Sequence, residues 1–247
     1  MSKEWYASWF DSPYYHLLYR QRDDKEAADF LNRLLSRLNL AKGSRVLDLA
    51  CGKGRHARHL FSCGYDVTGT DLSTSNINAC LEHEQDGLRF FRHDMRNLLV
   101  TCYFDAVFNL FTSFGYFRSA HENQRAVLAA AAALKPGGYL ILDYLNVKYA
   151  VDHLVAEETL EIEKVKFQIR RFVENQKIVK EITINDRGTT HVFKEEVSAL
   201  KPADFEDYFR KAHLTLEETF GDYRLSPYSD SKSSRLIFIA VKKPDRC

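Results

Sequence analysis

The chain contains few cysteines, and their spacing fits no metal site. The five cysteines among the 247 residues are Cys51, Cys63, Cys80, Cys102 and Cys247. No two are separated by the short gaps that tetrahedral zinc sites use, which excludes a cysteine-based zinc motif. Their number is odd, and small disulfide-stapled secreted domains are much richer in cysteine. We therefore predict a reduced, cytoplasmic protein without a bound metal.

Long hydrophobic runs and an excess of charge of either sign are also missing. No stretch approaches the roughly 20 apolar residues that cross a bilayer. The first 20 residues lack the apolar core of a signal peptide, so we expect none. The formal net charge is +1, and no overall field draws the protein to nucleic acid or to a membrane surface. We therefore expect neither a membrane nor a nucleic acid as a partner.

What the sequence does contain is an alternation of helix and strand patterns. An amphipathic helix pattern begins at Asp23 and stops at Gly43. Five apolar runs separated by helical segments then predict strands at Arg45–Ala50, Tyr65–Thr70, Leu88–His93, Phe104–Phe111 and Tyr139–Leu145. Strands in such an alternation pair in parallel through right-handed crossovers. The predicted fold class is therefore α/β, with a Rossmann-like, mostly parallel seven-stranded sheet and helices on both faces.

The pattern changes after about Asn146. Extended runs rich in Ile, Val and Thr predict an antiparallel β insert after strand five, at Thr159–Phe172, Lys177–Asn185 and Thr189–Val197. A helix and a C-terminal β-hairpin then complete the sheet. We predict one domain, 1–247, with an N-terminal helical and aromatic lid (1–43), a ligand-binding core (44–146), the β insert as a second lid (147–200) and the terminal helix and hairpin (201–247).

A tight glycine loop follows the first strand and opens the next helix. Its residues 52–57, GKGRHA, satisfy the glycine pattern of dinucleotide-binding folds. However, Asp48 stands at the end of the strand, where a pyrophosphate would be repelled. A carboxylate there favours a ligand with a positive amino group and no phosphate. Asp71, at the end of the next strand, is placed to bind a ribose.

Five segments in this order resemble the class I S-adenosylmethionine-dependent methyltransferases, with an insert like that of the small-molecule enzymes. They are VLDLACGKG (46–54), TDLS (70–73), HDMRN (93–97), FDAVFNLFTSFGYF (104–117) and LKPGGYLILD (134–143). The chain departs from the family at Ala50, where a glycine is usual, and we expect only a slightly tighter fit. The resemblance implies S-adenosyl-L-methionine as cofactor, S-adenosyl-L-homocysteine as product, and no metal.

The resemblance also implies where the cofactor binds. Asp48 would stabilise its amino group, Asp71 would accept hydrogen bonds from the ribose hydroxyls, and Asp94 would accept one from the adenine amino group. The full implied set is Asp48, Ala50, Cys51, Gly52, Gly54, Asp71, Leu72, Asp94, Met95, Asn109, Leu110 and Phe111. Structural roles remain open for these residues, since Asp48 and Asp71 are also typical of helix caps and Met95 is typical of a protein core. We interpret Cys51 as a small packed residue, and His56 and His59 as part of a solvated basic helix face.

The acceptor is less constrained than the cofactor. Methyl transfer from a sulfonium needs alignment and exclusion of water, so no fixed catalytic motif is expected and none is assigned. The aromatic, neutral run 109–117 favours a closed pocket for a small molecule methylated on nitrogen or oxygen. The candidate acceptor residues are Tyr14, Tyr15, Tyr116, Tyr144, Asn146, Arg170 and Tyr228, for each of which core packing or solvent exposure is an equal alternative.

Other functions remain open at this point. A lysine- and arginine-rich insert favours an RNA or protein methyltransferase, although matching acids and the lack of an added binding domain argue against it. A cofactor-binding regulatory protein without transferase activity is a further alternative. An NAD oxidoreductase is disfavoured by Asp48. We expect a monomer or a homodimer.

Overall fold

The computed structural model describes residues 5–20 and 24–244. Residues 1–4, 21–23 and 245–247, and with them Asp23 and Cys247, lie outside the described residues. The first half of the chain forms α1 (Trp5–Trp9), α2 (Pro13–Leu18), α3 (Asp24–Leu38), β1 (Arg45–Leu49), α4 (Arg55–Ser62), β2 (Asp66–Asp71), α5 (Thr74–Leu81), β3 (Leu88–Arg92), β4 (Phe104–Asn109), α6 (Ala120–Ala133) and β5 (Leu134–Leu145).

The second half holds a separate sheet and the end of the first. Its elements are α7 (Val147–Asp152), β6 (Glu157–Ile162), β7 (Val165–Glu174), β8 (Lys177–Asp186), β9 (Thr189–Ser198), α8 (Pro202–Lys211), β10 (Leu214–Phe220) and β11 (Arg235–Lys242). The large sheet has the order β10-β11-β5-β4-β1-β2-β3. β1 to β5 pair in parallel, whereas β11 runs antiparallel to both of its neighbours, β5 and β10. The predicted fold class is therefore confirmed.

Two apolar layers sandwich the large sheet. Successive residues of a strand point to opposite faces, and in β4 Val107 joins the layer under α6 and α8 while Phe108 joins the layer under α3 and α4. Both side chains are fully buried. The prediction that Phe108 belongs to the core is confirmed. This packing fixes the carboxyl ends of β1, β2 and β4 side by side.

The insert is a four-stranded antiparallel sheet with the order β6-β7-β8-β9. The prediction of a single strand over Thr159–Phe172 is wrong, because the chain reverses between β6 and β7. Glu163 and Lys164 form the reversal with φ angles of 52° and 67°. A left-handed pair of this kind usually carries Asn or Gly. Without those residues, the run looked continuous in the sequence.

The N-terminal helices cover one face of the insert sheet. The Trp9 side chain is fully buried in a cluster with Phe167 and Ile182. Its indole Nε1 donates a hydrogen bond to Glu195 Oε1 at 2.6 Å. We call residues 5–20 and the insert sheet (157–198) together the roof; Tyr15 and Glu195 of this unit line the same cavity as residues at the carboxyl edge of the large sheet.

Cys51, Cys63 and Cys80 are free thiols, whereas Cys102 is disulfide-bonded, which corrects the expectation of a wholly reduced chain. In the described part of the chain, no helix has the length and apolar character needed to cross a bilayer. Within residues 5–20 and 24–244, no cluster of three histidine, cysteine or acidic side chains is arranged to hold a metal ion.

Candidate functional site

A cavity of about 450 Å³ lies at the carboxyl edge of β1, β2 and β4. Open α/β sheets bind ligands at this edge, where strand ends and the following loops converge. Among the residues predicted from sequence, the cavity wall includes Ala50, Cys51, Gly52, Asp71, Leu72, Asp94, Met95, Leu110 and Phe111, together with Tyr15 and Tyr116. Segments from four separate strand ends therefore meet at one site.

Asp71 accepts a hydrogen bond from the glycine loop and also lines the cavity. Its Oδ2 accepts the Gly52 amide at 2.9 Å, and its Oδ1 accepts the Ser73 amide at 2.8 Å. Burial raises the pKa of the Asp71 carboxyl, and these two amide bonds oppose the rise. Gly52 has a φ of +55°, and a Cβ placed on it would meet nothing within 4 Å. The loop therefore presents bare backbone and a hydrogen-bonded carboxylate to a ligand.

Asp48 lies beneath the loop rather than on the cavity wall, and only 1% of it is exposed. Burial raises the pKa of its carboxyl to about 7; the Ala57 amide bond lowers it, the Asp71 charge raises it and the Arg55 charge lowers it. Among the described residues, the second carboxylate oxygen, Oδ2, has no hydrogen-bond partner. A buried acid with one unpaired oxygen suits a nearby cationic amino group, directly or through water.

Asp94 is held by its neighbour in sequence. The Arg96 guanidinium donates to both carboxylate oxygens, with Nη2 2.7 Å from Oδ2 and Nε 3.0 Å from Oδ1. Burial raises the pKa of the Asp94 carboxyl, but the bonds from Arg96 outweigh burial and leave the pKa lowered. Arg96 also pairs with Glu122 at 2.6 Å. The carboxylate therefore stays charged at the cavity wall, which Leu72 and Met95 also line.

The segment after β4 forms a second wall. Leu110, Phe111 and Tyr116 line the cavity, whereas Asn109 does not, since its side-chain amide donates to the Leu49 carbonyl at 3.0 Å. The ring of His56 stacks on Phe111 with centroids 4.9 Å apart. His56 is only 9% exposed, so its interpretation as a solvated residue is wrong.

The glycine loop contains two further features that bear on the predictions. Ala50 adopts a φ of 65°, a left-handed conformation that favours glycine, which explains why the family usually has glycine there. Gly54 caps α4 with a φ of +75°, and a Cβ on it would lie 2.8 Å from the Phe90 ring. A hydrogen bond with Cys80 and burial both raise the pKa of the Cys51 thiol, which keeps it protonated and unsuited to nucleophilic chemistry.

The roof supplies residues that sequence reasoning did not single out. Phe10 lies between α1 and α2, Tyr19 directly follows α2, and Glu195 comes from β9. The Tyr19 hydroxyl donates to Glu195 Oε1 at 2.9 Å. In the sequence, Glu195 is one charged residue among several on β9, and no local pattern distinguishes it.

The remaining acceptor candidates do not line the cavity. The Tyr14 hydroxyl donates to Asp186 at 3.1 Å, and Tyr144 is fully buried in the core. Asn146 caps α7 and donates to the Ser233 carbonyl, while Arg170 pairs with Glu157 and Glu181 on the insert sheet. Tyr228 bonds to Asp230 at 3.2 Å. The structure does not bring these five residues to the cavity, and their role as acceptor contacts stays a prediction: Tyr14, Tyr144, Asn146, Arg170 and Tyr228.

Known proteins match this chain in sequence and in fold. Residues 46–138 match the family model described as a methyltransferase domain. A dTDP-3-amino-3,4,6-trideoxy-alpha-D-glucopyranose N,N-dimethyltransferase from Streptomyces venezuelae is 31% identical over 118 residues, which are 48% of this chain and 48% of that relative. The chain thus spans about half the length of this curated relative.

Solved structures match over most of the chain. An S-adenosylmethionine-dependent methyltransferase from Clostridium acetobutylicum ATCC 824 has a TM-score of 0.78 at 20% identity, with 93% of this chain and 96% of that chain covered. CalS10 from Micromonospora echinaspora, an amino pentose methyltransferase solved with SAM bound, has a TM-score of 0.67 at 23% identity, with 94% and 97% covered. At this identity the likeness concerns the fold. Residues 46–138 of this chain are therefore similar to a methyltransferase domain, and the fold around them is shared with solved S-adenosylmethionine-dependent methyltransferases.

Proposed function

We propose that the protein transfers a methyl group from S-adenosylmethionine to nitrogen or oxygen of a small molecule. One observation carries this proposal: the glycine loop, Asp71 and Asp94 face the same cavity from three neighbouring strand ends. A ribose, an adenine and an amino acid moiety would each find a suitable partner there. The unpaired oxygen of Asp48 supports the amino acid end, because a buried carboxylate favours a nearby cation.

The chain's own residues account for binding and orientation. When bound, the cofactor supplies the electrophilic methyl group. Gly52 would let the backbone approach it closely, and Leu72 and Met95 would flank its adenine. The aromatic wall of Phe111 and Tyr116 and the roof would exclude water and hold the acceptor in line.

Calorimetry with S-adenosylhomocysteine and its 2′,3′-dideoxy analogue tests the cofactor assignment. We expect the wild-type protein to bind the analogue about tenfold or more weakly, because hydrogen bonds from hydroxyls to a charged carboxylate contribute about 1.5–3 kcal/mol. The variant Asp71→Asn should lose most of this preference, as in a double-mutant cycle.

Asp66→Asn is the matched control. Asp66 begins the same strand, at the opposite edge of the sheet, and pairs with Arg89 at 3.5 Å. It should keep the full preference for the ribose hydroxyls. If folded wild-type protein bound neither ligand, the proposed function would fail. If Asp71→Asn kept the preference, the ribose role of Asp71 would fail.

We further propose that the acceptor carries an amine. Glu195 brings a carboxylate from the roof to the cavity, and the rings of Phe10, Tyr15 and Tyr116 surround the same space. Aromatic faces stabilise ammonium groups, and a carboxylate both attracts such a group and can take its proton before attack. The relative from Streptomyces venezuelae and CalS10 are both named as methyltransferases of amino sugars, which agrees with this chemistry.

The amine proposal is tested with a panel of small amines, carboxylic acids and phenols as acceptors. The release of S-adenosylhomocysteine reports methyl transfer. For an accepted amine, Glu195→Gln should lower kcat/KM at least about tenfold, because an ion pair at a partly buried site is lost. Glu196→Gln is the control, since Glu196 neighbours Glu195 on β9 but pairs with Lys177 and Lys194. Methylation of phenols or acids alone, or equal effects of the two variants, would contradict the amine proposal.

The insert's charges argue against RNA as the substrate. Arg170, Arg171 and Lys177 each pair with a glutamate of the same sheet, so this part of the insert's positive charge is neutralised. We therefore keep a small molecule as acceptor and propose that the enzyme works in the cytoplasm as a monomer or homodimer. If the protein binds the cofactor but methylates no compound of the panel, the alternative of a regulatory protein without transferase activity is favoured. The division into parts at 43, 146 and 200 stays a prediction.

A further inference from the structure

A buried ion pair lies behind the second wall of the cavity. The Asp143 side chain is fully buried, and Arg235 Nη2 lies 2.6 Å from its Oδ1. Asp143 belongs to β5 and Arg235 begins β11, so the pair links two neighbouring antiparallel strands at the edge that holds the cavity. The Tyr223 hydroxyl also donates to Asp143, at 3.3 Å. Neither charged side chain lines the cavity itself.

Both members of the pair are bonded to a strained turn. Phe111 and Thr112, directly after β4, have φ angles of 57° and 58°. A left-handed conformation is unfavourable for residues other than glycine, and two in a row persist only where the surroundings enforce them. The Phe111 amide donates to Asp143 Oδ2 at 2.7 Å, and Arg235 Nη2 donates to Thr112 Oγ1 at 2.8 Å. The Thr112 amide donates to the Asp143 carbonyl at 3.1 Å.

This turn sets the position of the aromatic wall. Phe111 lines the cavity directly, and the Tyr116 hydroxyl donates to the Thr112 carbonyl. Tyr116 in turn contacts Trp5 of the roof edge-on, with ring centroids 5.5 Å apart. A chain of contacts therefore runs from the ion pair through the turn to the wall and the roof.

We propose that Asp143 and Arg235 are positioning residues, which hold the turn at 111–112 so that Phe111 and Tyr116 shape the ligand cavity. Burial of an ion pair is a poor way to gain stability, because an apolar pair of similar size stabilises as well. Arginine offers several N–H groups in a fixed plane, and here they reach an acid and a threonine at once. The effect on ligand binding rests on the proposed function, whereas the effect on the wall does not.

The test uses protein labelled with 5-fluorotryptophan together with calorimetry. The chain contains two tryptophans, and the described contacts place only Trp5 against Tyr116, while Trp9 packs on Phe193. Arg235→Lys keeps the charge but lacks the second donor arm. We expect it to shift the Trp5 fluorine resonance, leave that of Trp9 in place, and weaken S-adenosylhomocysteine binding about fivefold, a change of about 1 kcal/mol. Trp5→Phe assigns the resonances.

Asp105→Asn separates positioning from loss of stability. Asp105 of β4 pairs with Lys135 of β5 at 2.7 Å, at the end of these strands that lies away from the cavity. It should leave both readouts unchanged. An unshifted Trp5 resonance in Arg235→Lys, a shifted resonance with unchanged affinity, or equal changes in both variants would overturn the inference. If wild-type protein bound no S-adenosylhomocysteine, the proposed function would fail, and the resonance of ligand-free protein would still decide whether the pair positions the wall.

Discussion

Replacing Asp48 with asparagine is expected to stabilise the ligand-free protein at pH 8 and to weaken its binding of S-adenosylhomocysteine. The pKa of Asp48 is about 7 in the folded protein and 3.8 in its unperturbed state. Between these values the folded state binds more protons than the unfolded state, so stability falls as the pH rises. Above pH 7 the loss is complete, because the buried carboxylate is then charged. Asparagine removes this charge and keeps an oxygen for the Ala57 amide.

The melting temperature gives the first readout of this variant. We expect Asp48→Asn to melt about 5 °C or more above the wild type at pH 8, since a protein of this size gains about 2–4 °C per kcal/mol. The gain should shrink towards pH 4. The cofactor's amino group would lose a nearby buried charge, so calorimetry at pH 8 should show affinity reduced about tenfold or more.

Asp66→Asn again serves as the control, because Asp66 lies on the surface at the far end of β2. It should change neither the pH dependence of melting nor the affinity. A melting temperature of Asp48→Asn that tracks the wild type at every pH would contradict the burial argument. Unchanged affinity would mean that the unpaired oxygen of Asp48 does not serve the cofactor's amino group.

Gly54→Ala should destabilise the fold more than any other substitution in the glycine loop that we consider. Gly54 has a φ of +75°, and a Cβ would lie 2.8 Å from the Phe90 ring and 3.0 Å from Cys80 Sγ. The left-handed backbone costs alanine about 1 kcal/mol, and overpacking a buried site adds about 1–3 kcal/mol. We expect a loss of about 2–4 kcal/mol, which thermal melting would show as a decrease of about 5–15 °C.

Substitutions at two other glycines separate the cost of the left-handed backbone from the cost of steric contact. Gly137 has a φ of +76° with nothing near its Cβ position, so Gly137→Ala should show the backbone cost alone. Gly52 is similarly open in the protein but faces the cavity, so Gly52→Ala should melt like Gly137→Ala and bind S-adenosylhomocysteine much more weakly. Equal melting temperatures for the Gly54 and Gly137 variants would contradict the steric argument.

The parallel sheet and the proposed cofactor side of the site could be predicted from the sequence. The loop at Gly52 and Gly54, Asp48 and Asp71 all lie within one strand–loop–helix–strand unit, so their relation is local. Apolar periodicity and turn residues report on such local structure directly. The carboxyl ends of parallel strands share one edge of a sheet, and the positions of Asp94 and Phe111 at the cavity follow from that rule.

The roof and the support behind the aromatic wall could not be predicted from the sequence, because each joins segments that are far apart along the chain. Tyr19 and Glu195 meet although 176 positions separate them, and Arg235 reaches Asp143 across 92 positions. Nothing in the local pattern of either segment specifies its partner, because a charged residue on a strand has the same periodicity whether it faces solvent or a cavity. The burial of His56 could not be predicted for the same reason. The sequence of its helix indicated a solvated face, whereas in the structure the ring is buried and stacks on Phe111.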